Sequence, residues 1–288
     1  MGPRDGLQNE QKMIPLEAKV EWINMLSETG TPYIEVTSFV HPKWIPQLAD
    51  AVDVSKRIKR NPDVTYAALV PNMKGLRRAL EVDIDEVCIF ISASESHNKH
   101  NINRSISETL PILESVSKEA KNAGKTIRGY VSTVFGCPYE GKVDINKVIE
   151  ICDKLFDMGI DELSIGDTIG VANPEQVEHV ITELLKYFPK DKIAMHFHNT
   201  RGTALANVLM SLSLGITNFD SAVGGLGGCP YAEGASGNLA TEDLLYMLHG
   251  MGIETGIDEN KIMEAALYIE DYVQNLSSHQ MKILKRER

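Results

Sequence analysis

Residues 173–200 read NPEQVEHVITELLKYFPKDKIAMHFHNT. The stretch holds one complete helix-then-strand unit. Asn173 suits an N-cap, Pro174 fits the first helical position, and Glu175 suits the positive end of the helix dipole. Pro189 falls just past a helix read over 174–187. Residues 192–198 then read as a strand. Side chains alternate across a strand, so His196 and His198 share one face while Phe197 takes the other.

Outward from this unit the same alternation recurs. Strands read over 33–37, 65–70, 86–91, 126–133, 162–166 and 218–222. Helices read over 16–27, 74–81, 106–122, 145–158 and 203–214, and 241–250 and 259–274 close the chain. Seven strands alternating with helices imply a parallel sheet with helical crossovers. A doubly wound sheet is the structural alternative, but no GxGxxG opens a helix after a strand, which weakens its dinucleotide-binding version. The other α/β arrangement, and the fold expected here, is a (β/α)8 TIM barrel, which needs one more strand. An eighth strand belongs ahead of Gly2, so the first strand is expected to be missing from this chain. That predicts an open seam with two unpaired edges and a loss of anchorage for Arg4 and Asp5. No linker, low-complexity tract or charge run divides the sequence, and 1–288 reads as a single barrel domain with C-terminal helices.

The chain has 288 residues, 43% hydrophobic, and a net charge of −11. No block of five or more Lys or Arg occurs, which argues against a nucleic-acid or anionic-membrane partner. No apolar run approaches about 18 residues and no signal peptide opens the chain, so a cytoplasmic location is expected. A myristoylation motif fails because position 6 is Gly6. Cys88, Cys137, Cys152 and Cys229 include no CxxC pair, as free thiols in a reducing compartment would.

Four clusters lie where barrel enzymes place their sites, at or beyond the C-terminal ends of strands. His196 and His198 on one inward face either begin a metal site or are polar residues hydrogen-bonded to their neighbours. Arg4-Asp5, next to Gly6, either presents a carboxylate to a cation or forms a solvated turn. The run Gly224-Gly225-Leu226-Gly227-Gly228-Cys229-Pro230-Tyr231 is too rich in glycine for regular structure. Such a loop brings backbone close to a ligand, and Cys229 is a candidate acid/base or nucleophile unless it is an inert loop cysteine. Asp167 orients a histidine, binds substrate or caps a turn. Glu35, between Ile34 and Val36, must face the barrel mouth or solvent, because burying an unpaired charge is costly. Asp5, His196, His198 and Asn238 together supply two imidazoles and two oxygen donors. That mixed N/O set favours Mg, Mn, Co or similar ions over structural zinc.

On these residues the chain resembles the 3-hydroxy-3-methylglutaryl-CoA lyases. The wider group of metal-dependent lyases and synthases is signalled by residues 2–9, GPRDGLQN, and by His196-Phe197-His198. The narrower family is signalled by residues 37–44, TSFVHPKW, by 135–140, FGCPYE, and above all by 225–232, GLGGCPYA. The resemblance implies cleavage of 3-hydroxy-3-methylglutaryl-CoA to acetoacetate and acetyl-CoA, with a divalent metal ion, Mg or Mn, held by Asp5, His196, His198 and Asn238. It implies that Arg4 stabilises the developing enolate, that Cys229 acts in acid/base steps, and that Glu35, Asp167 and Gln8 are polar residues around the substrate. His196 is also a candidate base for the hydroxyl proton. An acyl-CoA substrate and a homodimer are the implied partners. One departure is Asn199, where the family usually has Asp and related synthases more often have Asn. It leaves as rivals a related lyase or synthase of another branched 3-hydroxyacyl-CoA or oxo acid, and a barrel that binds metal or acyl-CoA without turnover.

Overall fold

The protein is described by a computed structural model for residues 1–227, 237–273 and 276–287. Strands β1 (Tyr33–Ser38), β2 (Thr65–Leu69), β3 (Glu86–Ser92), β4 (Thr126–Ser132), β5 (Glu162–Asp167), β6 (Ile193–Phe197) and β7 (Asn218–Asp220) lie in one sheet in chain order. Every neighbouring pair is parallel. A doubly wound sheet reverses its strand order at a switch point. Here the order never reverses, so the sheet winds in one direction, as a barrel does.

The crossovers are helical. Helix α1 (Leu16–Ser27) precedes β1. Then come α2 (Ala51–Arg57), α3 (Met73–Glu81), α4 (Glu95–Ile102), α5 (Ile106–Asn122), α6 (Ile145–Asp157), α7 (Pro174–Leu184) and α8 (Ala204–Ser213). Helices α9 (Thr241–Gly250), α10 (Glu259–Glu270) and α11 (His279–Glu287) follow β7. Helix α7 starts as its sequence predicts. The Asn173 side chain accepts from the Gln176 N–H at 3.0 Å, and the Gln176 side chain accepts from the Asn173 N–H at 3.2 Å. This reciprocal pair satisfies two otherwise orphaned donors. The helix stops at Leu184, three residues short of the 187 read from sequence.

Alternation sorts the strand side chains. On β6, Ile193, Met195 and Phe197 join the apolar layer between sheet and helices, each contributing about 1.5–3 kcal/mol by burial. His196 takes the opposite, inward face. The interior is partly polar. Arg128 on β4 forms ion pairs with Glu162 at 2.6 Å and Asp220 at 2.8 Å, and its guanidinium lies over the rings of Tyr33 and Tyr130.

Among the described residues β1 and β7 do not pair, and a cavity of about 500 Å³ lies between them, reached by Tyr33, Arg128, Asp220 and Leu244. The predicted open seam is present. The predicted loss of anchorage is not. A π-helical turn, Gly2–Gly6, crosses the seam at the mouth. The Met1 nitrogen donates to the Ser221 carbonyl at 3.1 Å. Gly2 lies on the Trp22 ring, where a Cβ would come within 3.0 Å, and Arg4 pairs with Glu35 on β1 at 2.8 Å.

Candidate active site

The metal-ligand candidates reach one point from three separate parts of the chain. Strand β6 delivers His196. His198 lies one residue past its end, where the backbone bridges antiparallel to Asn238. The Leu239 N–H donates to the Phe197 carbonyl at 3.0 Å, and the Asn199 N–H to Gly237 at 2.7 Å. These bonds carry Asn238 across from His198. Asp5 comes from the turn over the seam. Its carboxylate lies 3.9 Å from Nε2 of His196 and 3.9 Å from Nε2 of His198. One ligand atom from each of Asp5, His196 and His198 falls within 4.8 Å of the others, a grouping that could hold a metal ion.

The donors are chemically ready for one. Burial and the neighbouring His196 push the His198 imidazole down to about 4, so its ring is neutral near pH 7 and keeps a lone pair. Burial alone would raise the Asp5 carboxyl, but Arg4, His196 and His198 hold it at about 2. The Asn238 amide donates to Asp5 at 2.6 Å and to the Leu226 carbonyl at 2.9 Å, leaving Oδ1 buried with no hydrogen-bond partner among the described residues. A buried acceptor left unpaired is costly. A cation beside it would satisfy it, so the residues fit a divalent ion. Gly227 makes the approach possible. Its φ is +117°, and a Cβ there would overlap the Asn238 amide.

Arg4 is gripped on two sides. Nη1 bonds Asp5 at 2.8 Å and Nε pairs with Glu35 at 2.8 Å. Burial opposes the Arg4 charge, yet Glu35 and Asp5 hold its pKa above the ordinary value. Gln8 donates to the same Asp5 oxygen at 2.9 Å. Arg4, Asp5, Gln8, His196 and His198 all line a cavity of about 510 Å³ at the barrel mouth. Its walls mix Leu69, Phe90 and Leu113 with polar groups of the α4 region.

Two residues named from sequence stand off from this cavity. Glu35 is fully buried beneath Arg4, and burial raises its pKa against the pull of the guanidinium. The alternative of mouth or solvent therefore resolves as burial with a paired charge, in support of Arg4 rather than in contact with the cavity. Asp167 spends both oxygens on the turn after β5, accepting from the Val171 N–H at 2.9 Å and the Ala172 N–H at 3.1 Å. Burial raises its pKa to about 6. Of the three roles open to Asp167, this geometry favours the turn. Cys229 lies outside the described residues. Asn199 accepts from the Ala204 N–H at 3.2 Å, at the start of α8.

Sequence reasoning missed Asp220. Its Oδ2 lies 3.2 Å from Nδ1 of His196, and its Oδ1 accepts from Arg128 at 2.8 Å. Burial would raise its pKa; Arg128 and His196 hold it well below the usual carboxylate range. The available signal was an acid ending the strand next to the HxH strand. The pairing of His196 with Asp220 depends on a register that one sequence does not reveal.

A one-directional parallel barrel whose C-terminal mouth gathers three side chains that could hold a metal ion has the layout of a barrel enzyme. A family model described as HMGL-like matches residues 1–269, and the chain belongs to that family. It is 58% identical to a hydroxymethylglutaryl-CoA lyase of Bacillus subtilis (strain 168), over 99% of this chain and 96% of that protein. A crystal structure of a Bacillus subtilis HMG-CoA lyase superimposes with a TM-score of 0.97 at 58% identity, covering 99% of this chain and 96% of that one. An Acinetobacter baumannii HMG-CoA lyase, solved in complex with coenzyme A and 3-methylmalate, superimposes with a TM-score of 0.93 at 38% identity, covering 98% and 92%.

Proposed function

We propose that the protein is a metal-dependent carbon–carbon lyase that cleaves 3-hydroxy-3-methylglutaryl-CoA to acetoacetate and acetyl-CoA. The observation that carries this reading is the convergence of Asp5, His196 and His198 next to Arg4 in one cavity. Near-full-length similarity to lyases of that name supports the choice of substrate.

Cleavage removes the proton of the substrate's tertiary hydroxyl, breaks the bond between that carbon and the carbon next to the thioester, and leaves an enolate that must take up a proton. A divalent ion, read as Mg or Mn from its N/O donors, would polarise the hydroxyl and neighbouring carboxylate oxygens when bound by Asp5, His196, His198 and Asn238. Arg4 neutralises the charge that grows on the thioester oxygen. Because Glu35 and Asp5 hold it beforehand, little reorganisation is needed as that charge develops. Gln8 steadies Asp5 from the cavity side. Nδ1 of His196 faces Asp220 and Nε2 faces the ligand cluster, so both nitrogens are engaged. His196 therefore acts as a ligand and not as the base for the hydroxyl proton. Cys229, in the glycine-rich run, delivers a proton to the enolate carbon.

Among the described residues no helix is long and apolar enough to cross a membrane. The protein works in this reading as a cytoplasmic homodimer built from one barrel domain. Incubation with 3-hydroxy-3-methylglutaryl-CoA should yield acetoacetate with Mg or Mn and none with a chelator. A folded, metal-loaded protein that gives no product, while cleaving another branched acyl-CoA in a substrate panel, would overturn the assignment.

A further inference from the structure

The two imidazoles of the ligand cluster are supported differently. Nδ1 of His198 is buried with no hydrogen-bond partner among the described residues. Nδ1 of His196 faces a carboxylate that is itself fixed from two sides. Asp220 Oδ1 takes the Arg128 guanidinium at 2.8 Å, and Oδ2 takes the Ser164 hydroxyl at 3.0 Å and His196 at 3.2 Å. Asp220 and Arg128 are nearly inaccessible to solvent. Strands β6 and β7 also pair through their backbones.

We infer that Asp220, anchored by Arg128 and Ser164, is the positioning residue of the metal centre. It holds His196 in the tautomer with the proton on Nδ1 and aims Nε2 at the point shared with Asp5 and His198. The inference rests on the reading of that cluster as a metal site. A carboxylate can only accept. Nδ1 must therefore be the donor in this contact, which leaves the lone pair on Nε2, 3.9 Å from the Asp5 carboxylate. The three anchors come from three different strands. Arg128 lies on β4, Ser164 on β5 and Asp220 on β7, so the barrel interior fixes the ring's rotation about its Cβ–Cγ bond. Carboxylate support of a ligating imidazole typically matters 10–100-fold in metal affinity or activity.

The test is Asp220→Asn, read by direct Mn2+ binding from the electron paramagnetic resonance of free Mn2+, with no substrate present. The amide offers His196 an acceptor or a donor, so the tautomer is no longer enforced. We expect Mn2+ affinity to fall roughly 10–100-fold and kcat to fall more than KM changes. Asp220→Glu, which keeps the charge, should recover part of the loss. In a His196→Ala background the Asp220→Asn change should have little further effect on Mn2+ affinity. Equal, independent losses in both backgrounds would show that Asp220 does not act through His196, and an Asp220→Asn protein that binds Mn2+ as tightly as the parent would overturn the inference outright. If Asp220→Asn fails to fold by circular dichroism, Ser164→Ala removes one bond to the same oxygen. It should weaken Mn2+ binding in the same direction but less, and an unchanged affinity there would equally sink the idea. A parent protein that binds Mn2+ yet cleaves no 3-hydroxy-3-methylglutaryl-CoA would defeat the proposed function and leave this inference standing.

Discussion

The two halves of the candidate site are built in different ways. On one side His196 stands on β6, a strand paired on both sides, and its support crosses the barrel interior through Asp220, Arg128 and Ser164. On the other, Arg4, Asp5 and Asn238 sit on a turn and a bridge outside regular strands, held by Glu35, by Gln8 and by one another. The strand half takes its precision from backbone pairing together with one internal ion pair, Asp220 with Arg128. The turn half lies outside the strand ladder and rests on buried charged and polar side chains. Breaking a buried pair in either half leaves a charge stranded in a low-dielectric interior, but only the strand half keeps its backbone ladder when that happens.

The largest effect is expected from Arg4. Arg4→Met removes the charge that faces the enolate, and kcat should fall by about 10²–10³ or more. Mn2+ affinity should change far less, because Asp5 keeps its bonds from Gln8 and Asn238. A loss confined to KM would place Arg4 in ground-state binding and blunt the contrast between the halves. Next comes Glu35→Gln. It leaves the buried Arg4 with one anionic partner instead of two, and should cost about 3 kcal/mol of stability in denaturant unfolding. Equal stability of mutant and parent would mean that the turn half does not depend on this pair.

A third effect is pH-dependent. Both oxygens of Glu242, at the start of α9, accept from the N–H of Gly224, the first residue of the glycine-rich run, at 2.8 and 3.0 Å. Burial raises this carboxyl from 4.5 to about 7. The native state holds the proton more tightly than the unfolded chain. Stability from this group is therefore full below pH 4.5 and is lost as pH rises through about 7. Glu242→Gln should remove that slope and stabilise the protein by up to about 3 kcal/mol above pH 7, with no gain at pH 4.5. Unfolding curves collected across this range decide it, and parallel pH profiles for mutant and parent would contradict the shift. The smallest effect belongs to Asn199→Asp. The new carboxylate would face the Ala204 N–H at the N-terminus of α8 and should add about 0.3–1 kcal/mol with little change in kcat/KM. A large change in kcat/KM would instead tie this position to the ligand half of the site.

How legible the molecule was in its sequence followed the strength of local signals. All seven strands were found, most of them because they are short, largely apolar runs between turn residues, and β7, Asn218-Phe219-Asp220, by its place in the alternation of strands and helices. The capped start of α7 was explicit in Asn173-Pro174-Glu175-Gln176. Three helices were missed. Helix α2 has seven residues, and α4, ESHNKHNI, has no apolar stripe. Both lie in the long loops that follow β1 and β3. Helix α11 owes its start to Asp243, 36 residues away, whose carboxylate accepts from the His279 and Gln280 N–H groups. The strand read as 192–198 begins at Ile193, because 190–192 curl into a 3-10 turn.

The sequence by itself determined the wound α/β fold, the shared face of His196 and His198, and the identity of the residues that gather at the mouth. These follow from period-two alternation, turn chemistry and motif content, all of which are local. Only the tertiary structure decided what each charge touches. It buried Glu35 under Arg4, turned Asp167 onto its own loop, and set Asp220 behind His196. Partners of that kind depend on strand register and on the burial of both groups at once, and neither quantity is written in any short stretch of the chain.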